Sequence, residues 1–487
     1  MAMLYDDRPA RERHAHVLDT LQAVLADSRD RMPDIVAPTQ GVRAADEPFV
    51  GEVAPQVVRR RRGSLTAQRN ASFAEFVLVE NAEGVLLWRS ADEVASTRSP
   101  STRRGRVSRR NFVSIMPRPW NEELARVRMP RLEPNEYMQR LAAVDDRLNP
   151  DNAKGLRTVE QRSDGSFVAG PPVRGPFSGR TLLLVHGTFS HAASVITGLA
   201  TASTGKQWLS AAINGRYTRV LCFEHPTLSV SPWVNALDLA RAMGATGGQI
   251  DVVAHSRGGV VVSWWLEVLG HALVEAGARV RVVFVGAPLA GTSLAAPDKI
   301  QPMVSLLTNV GGLLAKTLGA AAKAHPFSMA GFAMLEFLGG RAKQKFAIPP
   351  IKNLGERGSI DAAVALIPGL QGQSMVSNNA ELSRLRDHAG VVSAQYHAVV
   401  ANFESDDHGL AFWRYFRKSS AADVAADSIF PEANDLIVDT ASMYHLGSVR
   451  GVIPKSSVYH FDVKSGVWHC NYFEQPATIN RIRKAFV

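Results

Sequence analysis

From about residue 179 the chain consists of short apolar runs that alternate with segments of helical length. The runs contain consecutive Leu, Val and Ile residues, which is typical of strands buried on both faces of a mostly parallel sheet. The predicted strands are residues 181–186, 219–224, 250–255, 280–286, 395–403 and 458–462. The predicted helices are residues 206–213, 234–243, 258–276 and 478–486. This order predicts an α/β domain whose central sheet is flanked by helices.

The first 175 residues carry a different pattern and predict an N-terminal accessory region. Apolar side chains at helical spacing predict an amphipathic helix over residues 10–30. Two apolar runs around Asn81-Ala-Glu-Gly84 predict a β-hairpin over residues 73–88. Residues 31–70 and 91–110 are rich in Arg together with Pro, Gly, Ser or Thr, which predicts loops. Extra strands at the edge of the main sheet could also come from this region.

The alternation stops after residue 291, so residues 176–487 are predicted to form one domain with an insert at about 293–390. Residues 303–338 are apolar and favour helix, and Glu336 is the only acidic residue among them. Such an insert is expected either to cover the active edge of the sheet as a lid or to form a helical subdomain that only packs. The lysines and glycines within it argue against a membrane span.

The 487 residues carry a formal net charge of +10, and the excess is uneven, with a run at Arg59-Arg60-Arg61-Arg62. This run predicts either a contact with an anionic surface, such as nucleic acid or lipid headgroups, or a solvated Arg-rich segment. Two cysteines exclude a disulfide framework and favour a reducing compartment. The charged N-terminus lacks the apolar core of a signal peptide, and no apolar run is long enough for a transmembrane helix. We therefore expect a cytoplasmic location.

Ser256 lies between a predicted buried strand and a predicted helix, in Ala254-His255-Ser256-Arg257-Gly258-Gly259. A sharp turn there exposes a serine hydroxyl, and the first amides of the helix point towards the oxyanion that the hydroxyl would create. Ala254 and Gly258, two positions either side, are small enough for the strained backbone of such a turn. We expect Ser256 to be a catalytic nucleophile that needs a base, an acid and an oxyanion hole from elsewhere in the chain.

This segment resembles the nucleophile elbow of the α/β-hydrolase fold, in the lipase- and esterase-like branch with a Ser-Arg-Gly-Gly elbow. Residues 182–188 resemble the strand and His-Gly turn that supply one side of the oxyanion hole. Residues 283–292 resemble the Gly-x-Pro-x-x-Gly-Ser/Thr segment of lipases. Residues 434–442 resemble the Asn-Asp-Gly-x-Val segment that carries the acid, with Leu436 where glycine is usual. The resemblance covers roughly residues 176–487 and implies an α/β-hydrolase fold.

The acid of this fold follows the serine and precedes the histidine. Asp435 fits, because it begins a short apolar run after the strand predicted at residues 395–403. The alternatives after the same strand are Asp439, Asp406 and Asp407.

His469 is the candidate base, because it follows the last predicted strand and resembles the His-x-x-Tyr-Phe ending of the lipase-like group. His445 and His460 are the alternatives. His255, next to the nucleophile, is expected to pack beside the elbow, because adjacent residues in such a turn point apart.

The backbone N–H of Arg257 and that of Thr188 or Phe189 are expected to form the oxyanion hole, with His186 fixing the turn. No metal-ligand spacing and no phosphate-binding glycine loop occurs, so no metal and no cofactor is expected. The sequence predicts a serine esterase that cleaves lipid or other acyl esters. An acyltransferase with the same triad and a non-catalytic binding or scaffold protein on a hydrolase fold are the alternatives.

Overall fold

The computed structural model describes residues 10–15, 17–19, 73–81, 84–90, 120–130, 141–146, 148–149, 153–295, 303, 305–310, 367–375, 377, 379–404 and 433–487. The chain divides into two compact units. The first consists of Met1–Tyr137 with Val304–Ile348, and the second of Met138–Met303 with Pro349–Val487.

The first unit contains a three-stranded antiparallel sheet in the order β2-β1-β3, with β1 at Phe73–Asn81, β2 at Leu86–Ser90 and β3 at Trp120–Pro130. The pairing of β1 with β2 confirms the predicted hairpin. Helical residues 305–310 cover β2, where Ser305 Oγ accepts a hydrogen bond from Trp88 N at 2.9 Å and Asn309 Nδ2 donates to Leu86 O at 2.8 Å. These residues of the predicted insert therefore pack on the N-terminal sheet.

The predicted N-terminal helix is described only in part. Ala10–Arg13 is helical, and Val17 and Leu18 of the predicted apolar face are buried. The remainder of that prediction, most of the insert and the arginines at 59–62 lie outside the described residues.

The second unit is built around an eight-stranded sheet. Its strands are β4 (Gly155–Gln161), β5 (Phe167–Pro172), β6 (Arg180–Val185), β7 (Arg219–Glu224), β8 (Gln249–His255), β9 (Arg279–Val285), β10 (Ala394–Ala401) and β13 (Val458–Phe461). Two short strands, β11 (His445–Gly447) and β12 (Gly451–Val452), pair with each other. All six strands predicted from the apolar runs are present, with ends within two residues of the prediction.

The strand order across this sheet is β13-β10-β9-β8-β6-β7-β4-β5. The six predicted strands are parallel, whereas β4 runs antiparallel to β7, and β5 runs antiparallel to β4. After β6 the chain forms β7 on one side and then crosses to β8 on the other. Such a reversal opens a crevice at the carboxyl ends of the neighbouring strands. This order is that of the α/β-hydrolase fold, and the predicted fold class is confirmed.

The boundary between the units differs from the predicted one at residue 175. β4 and β5 lie within the region assigned to the N-terminus, yet β4 pairs with β7 from Gly155↔Glu224 to Thr158↔Leu221 and so extends the central sheet. Both strands mix buried with half-exposed or exposed positions, as antiparallel strands with one solvated face do, so they leave no continuous apolar run in the sequence.

Helices alternate with the strands of the second unit, as expected for an α/β domain. They are Ala192–Thr201, Ser203–Ala211 continued by a π-helical turn at Ala212–Arg216, Pro232–Met243, Arg257–Glu267, His271–Glu275, Pro368–Gln371, Ala380–Arg386 and Pro476–Ala485. The helix predicted over residues 258–276 is two helices, because Gly270 begins a new one. Within the described ranges, no helix combines the length and the apolar character needed to cross a membrane.

A buried charge cluster lies near the amino end of β8, at the edge of the sheet away from Ser256. Asp251 is fully buried and accepts hydrogen bonds from Arg180 Nη2 at 3.0 Å, Arg281 Nε at 2.8 Å and Tyr217 Oη at 2.8 Å. The two guanidiniums also donate to the carbonyl of Phe486. Because Asp251 balances two partly buried guanidiniums that also hold the end of the last helix, its removal leaves both without their counterion.

We predict that Asp251→Ala lowers the free energy of unfolding by about 3–5 kcal/mol, the cost of breaking a buried ion pair on one side. Urea denaturation followed by circular dichroism measures this loss. Asp238→Ala is the matched control, because the Asp238–Arg241 pair is 3.9 Å apart with both side chains more than half exposed, and its loss should stay below about 1 kcal/mol. Equal losses in the two variants would contradict this account.

Candidate active site

Ser256 occupies a strained turn between β8 and the helix Arg257–Glu267. Its backbone has φ 53° and ψ −131°, a region that non-glycine residues rarely adopt. Ser256 N donates to Val285 O at 3.0 Å, and Ser256 O accepts from Gly259 N at 2.8 Å. The end of β9 and the first turn of the following helix therefore hold Ser256 in place.

The glycines around the turn are required by close packing. A Cβ at Gly258 would lie 2.6 Å from His186 O, and a Cβ at Gly259 would lie 2.4 Å from Ala287 Cβ. A Cβ at Gly187 would lie 2.6 Å from Ser256 Cβ. The turn that follows β6 therefore runs directly against the nucleophile.

The three residues proposed as nucleophile, base and acid are brought together by the fold. His469 Nε2 lies 2.9 Å from Ser256 Oγ, and His469 Nδ1 lies 2.8 Å from Asp435 Oδ2. The exposed fractions of Ser256, His469 and Asp435 are 4%, 1% and 0%. A continuous hydrogen-bonded chain therefore runs from the hydroxyl to a buried carboxylate.

The turn around Asp435 orients its carboxylate. Asp435 Oδ1 accepts from Ile437 N at 3.1 Å and from Val438 N at 2.8 Å. Leu436 has φ 80° where glycine would be unstrained, which costs about 1–2 kcal/mol. Its side chain is almost fully buried, and burying a leucine stabilises by about 1.5–3 kcal/mol. Burial thus offsets the strain of the unusual residue.

Asp439, the alternative acid that the structure describes, is bound to Ser293 and not to His469. Asp439 accepts from Ser293 N at 2.9 Å and from Ser293 Oγ at 3.2 Å, so it holds the segment after β9. Burial raises the pKa of its carboxyl, against the hydrogen bonds from Ser293. Asp406 and Asp407 lie outside the described residues.

The alternative histidines are placed elsewhere. His445 Nδ1 accepts from Arg386 Nη2 at 2.8 Å. His460, on β13, lies against the ring of Tyr444. His255 packs beside the elbow as expected, with its Nε2 3.1 Å from His469 O. Burial, together with the charge of His469, lowers the pKa of His255 to about 3, so its ring is neutral.

The expected oxyanion donors differ in their present partners. Phe189 N donates to Thr227 Oγ1 at 3.3 Å, so this amide already has a partner within the protein. Thr188 is the stronger candidate of the two, because it directly follows Gly187, whose Cβ would lie 3.1 Å from Ser256 Oγ. The Arg257 amide opens its helix, where amides have no partner within the helix.

Two buried side chains hold this region. Arg257 Nη2 donates to Val230 O at 2.6 Å, and burial lowers its pKa to about 10, against the charges of Asp145 and Glu381. His186 Nε2 lies 3.0 Å from Glu224 Oε1, in keeping with its expected structural role.

Sequence reasoning missed two buried residues of this site. Tyr472 Oη donates to Asp435 Oδ2 at 3.0 Å, and Gln373 Nε2 donates to Thr188 Oγ1 at 2.8 Å. Tyr472 has a signal in the sequence, because it is the tyrosine of the His-x-x-Tyr-Phe ending. Gln373 lies within the predicted insert, and no local pattern marks it. Within the described part of the chain, no group of three or more His, Cys, Asp or Glu residues is placed to hold a metal ion.

Several solved structures of hydrolases resemble the chain at low identity. Lipase 1 from Pelosinus fermentans is 14% identical, with 63% of this chain and 97% of that chain covered and a TM-score of 0.38. Naproxen esterase from Bacillus subtilis is 12% identical, with 74% and 100% covered and a TM-score of 0.29. Carboxylesterase CesB from Bacillus subtilis is 12% identical, with 72% and 98% covered and a TM-score of 0.27.

No curated protein matches the chain. A family model described as "Domain of unknown function (DUF7379)" matches residues 154–487. The match begins just before β4 and ends at the last residue, so it takes in all eight strands of the central sheet. Since this match spans more than half of the chain, the protein belongs to the DUF7379 family.

Proposed function

We propose that this protein is a serine hydrolase that cleaves carboxylic esters through an acyl-enzyme intermediate. The observation that carries the proposal is the hydrogen-bonded chain from Ser256 Oγ through His469 to Asp435, with distances of 2.9 and 2.8 Å. A serine hydroxyl needs a base within about 2.6–3.2 Å to become a nucleophile. The Asp–His contact adds the group that orients this base.

Each residue has one task in the reaction. Ser256 Oγ attacks the acyl carbonyl while His469 Nε2 accepts its proton, and His469 then delivers that proton to the leaving alcohol. Asp435 holds the imidazole in place and stabilises its charged form. The amides of Arg257 and Thr188 stabilise the oxyanion, and loss of one such donor costs about 3–4 kcal/mol. Water then releases the acyl group by the same route.

We further propose acyl or lipid esters as the substrate class. This preference depends on the apolar composition of residues 303–338 and on the resemblance to lipases. The same triad serves an acyltransferase if an alcohol replaces water, and product analysis with added alcohols separates the two reactions. A non-catalytic binding protein on this fold, with the arginines at 59–62 contacting an anionic surface, remains the alternative that predicts no reaction at Ser256.

Gly286 imposes a steric condition on the proposed triad. It follows β9 with φ 55°, and a Cβ there would lie 2.7 Å from Tyr472 Cε2, 3.2 Å from Asp435 Oδ2 and 3.3 Å from His469 Nδ1. Any side chain at this position forces the ring of Tyr472 to move and crowds the two atoms that form the hydrogen bond between the acid and the base. An error of about 1 Å in such geometry can lower the rate ~100-fold.

Ser256→Ala should abolish labelling by a fluorophosphonate probe and lower kcat on p-nitrophenyl esters by on the order of 10⁶-fold, as expected when a nucleophile acts with its triad. Ser263→Ala is the control, since Ser263 is a buried serine in the helix that follows the elbow, and it should label like the wild type. Undiminished labelling of Ser256→Ala, or a loss in kcat below about tenfold, would refute the role of Ser256. A folded wild type that never labels would favour the binding-protein alternative.

Gly286→Ala should lower kcat about 100-fold through displacement of the acid and the base. Gly277→Ala is the matched control, because Gly277 has φ 66° but its Cβ would meet nothing within 4 Å. It should cost about 1 kcal/mol of stability from the backbone strain alone, with kcat unchanged. Steady-state kinetics with thermal unfolding compares the two, and a kcat for Gly286→Ala within threefold of the wild type would contradict the steric condition.

A further inference from the structure

The carboxylate of Asp435 has four hydrogen-bond donors, one of which is not needed to orient a histidine. Its Oδ1 accepts from the amides of Ile437 and Val438. Its Oδ2 accepts from His469 Nδ1 at 2.8 Å and also from Tyr472 Oη at 3.0 Å. The phenol and the imidazole therefore share one oxygen atom.

Tyr472 is fixed in this contact by its surroundings. Its side chain is buried in the core, with its ring 6.2 Å from that of Phe461 and edge-on to His469 at 6.4 Å. Gly286 packs against the same ring, since a Cβ there would lie 2.7 Å from Tyr472 Cε2. The hydroxyl also lies 3.6 Å from Met443 Sδ. It has one proton to donate, and the carboxylate is the stronger acceptor.

The phenol remains a donor throughout the working pH range. Burial, followed by the charge of Asp435, raises the pKa of Tyr472 well above its usual value. A donor that cannot ionise withdraws charge from Oδ2 at every pH. Since a hydrogen bond to the charged form favours the carboxylate, the phenol reduces the negative charge that faces the imidazole.

From this geometry we propose that Tyr472 is a positioning residue that acts on His469 through Asp435 Oδ2 and sets the lower pH limit at which Ser256 reacts. The proposal rests on the proposed function, because the limit is read at the Ser256–His469 pair. Loss of the phenol leaves more charge on Oδ2, which favours a protonated imidazole. It also makes the carboxylate easier to protonate. Both effects move the lower limit to higher pH.

The other titratable groups around the triad do not provide this control. His255, on β8, is neutral because burial lowers its pKa to about 3. Asp439, on the acid-bearing segment, is engaged by Ser293. Cys470 and Glu474, on the segment that carries His469, both have raised pKa values, caused first by burial. None of these four makes a hydrogen bond to the Asp435 carboxylate among the described residues.

The test compares wild type with Tyr472→Phe, which keeps the buried ring and removes only the hydroxyl. The rate of fluorophosphonate labelling is measured from acid to alkaline pH, which needs no knowledge of the natural substrate. We expect the acid midpoint of the rate to rise by roughly 1–2 pH units, the size of one lost hydrogen bond to a charged group. On the alkaline plateau the rate should stay within about tenfold of the wild type, since the triad itself is intact.

Tyr217→Phe is the matched control. Its hydroxyl also donates to a buried carboxylate, Asp251 Oδ2, at 2.8 Å, but at the opposite edge of the sheet. It should lose a similar amount of stability and leave the midpoint unchanged. If Tyr472 only stabilises the fold, both variants will lose stability and neither will change the acid midpoint.

Two results separate this inference from the proposed function. If the wild type labels but the midpoint of Tyr472→Phe equals that of the wild type, the role of Tyr472 is refuted and the proposed function stands. If the wild type does not label, the proposed function fails. In that case the ¹H NMR signal of the His469 Nδ1 proton tests whether Tyr472 acts on His469 through Asp435. Tyr472→Phe should move this signal, and Tyr217→Phe should leave it in place. A signal that stays in place in Tyr472→Phe refutes the role of Tyr472.

Discussion

The positive φ of Ser256 is the constraint on which the site depends. A serine held at φ 53° is strained, and such strain persists only when the surroundings fix it from several sides. Here the carbonyl of Val285 on the next strand holds its amide, and Gly187, Gly258 and Gly259 let three backbone segments approach without a side chain between them. The packing of β6, β8 and β9, which are buried along most of their length, offsets the strain of the turn.

The strand order brings the strained turn at Ser256 together with the other residues of the site. The reversal at β6 puts the turn after β6 beside the turn after β8, and the segments that follow β9 and β10 bring Gly286 and Asp435 to the same edge. His469 then needs only the loop after β13 to reach Ser256. The opposite edge of the sheet carries the Asp251 cluster, whose arginines anchor the last helix. Buried polar side chains therefore serve the proposed chemistry at one edge and stability at the other.

Much of this arrangement follows from the sequence, because buried parallel strands leave continuous apolar runs. The sequence also predicts the order of nucleophile, acid and base along the chain, as Ser256, Asp435 and His469. Extra strands from the N-terminal region were expected at the edge of the main sheet, but the sequence did not locate β4 and β5, since only Leu156 and Val159 of β4 are buried. The helix Ala192–Thr201 was missed because it contains a glycine and β-branched residues, and Glu224 Oε2 satisfies its first amide from across the fold at 2.7 Å. Tertiary contact here overrides local propensity.

Only the structure distinguishes between candidate residues that lie close together in the sequence. Asp435 and Asp439 flank one tight turn, and only the folded turn directs the first to His469 and the second to Ser293. The second donor on Asp435 Oδ2 has the same origin, since the role of Tyr472 depends on where two separate loops meet.

In the proposed reaction the acyl group is bound to Ser256 between attack and hydrolysis. Peptide mass spectrometry after brief exposure to a p-nitrophenyl ester and acid quenching detects this intermediate. We expect an acyl adduct on the peptide that contains Ser256, and no adduct after exposure of His469→Ala to the same ester. An adduct on another residue, or ester turnover with no adduct at Ser256 under conditions that trap it, would rule out this role of Ser256.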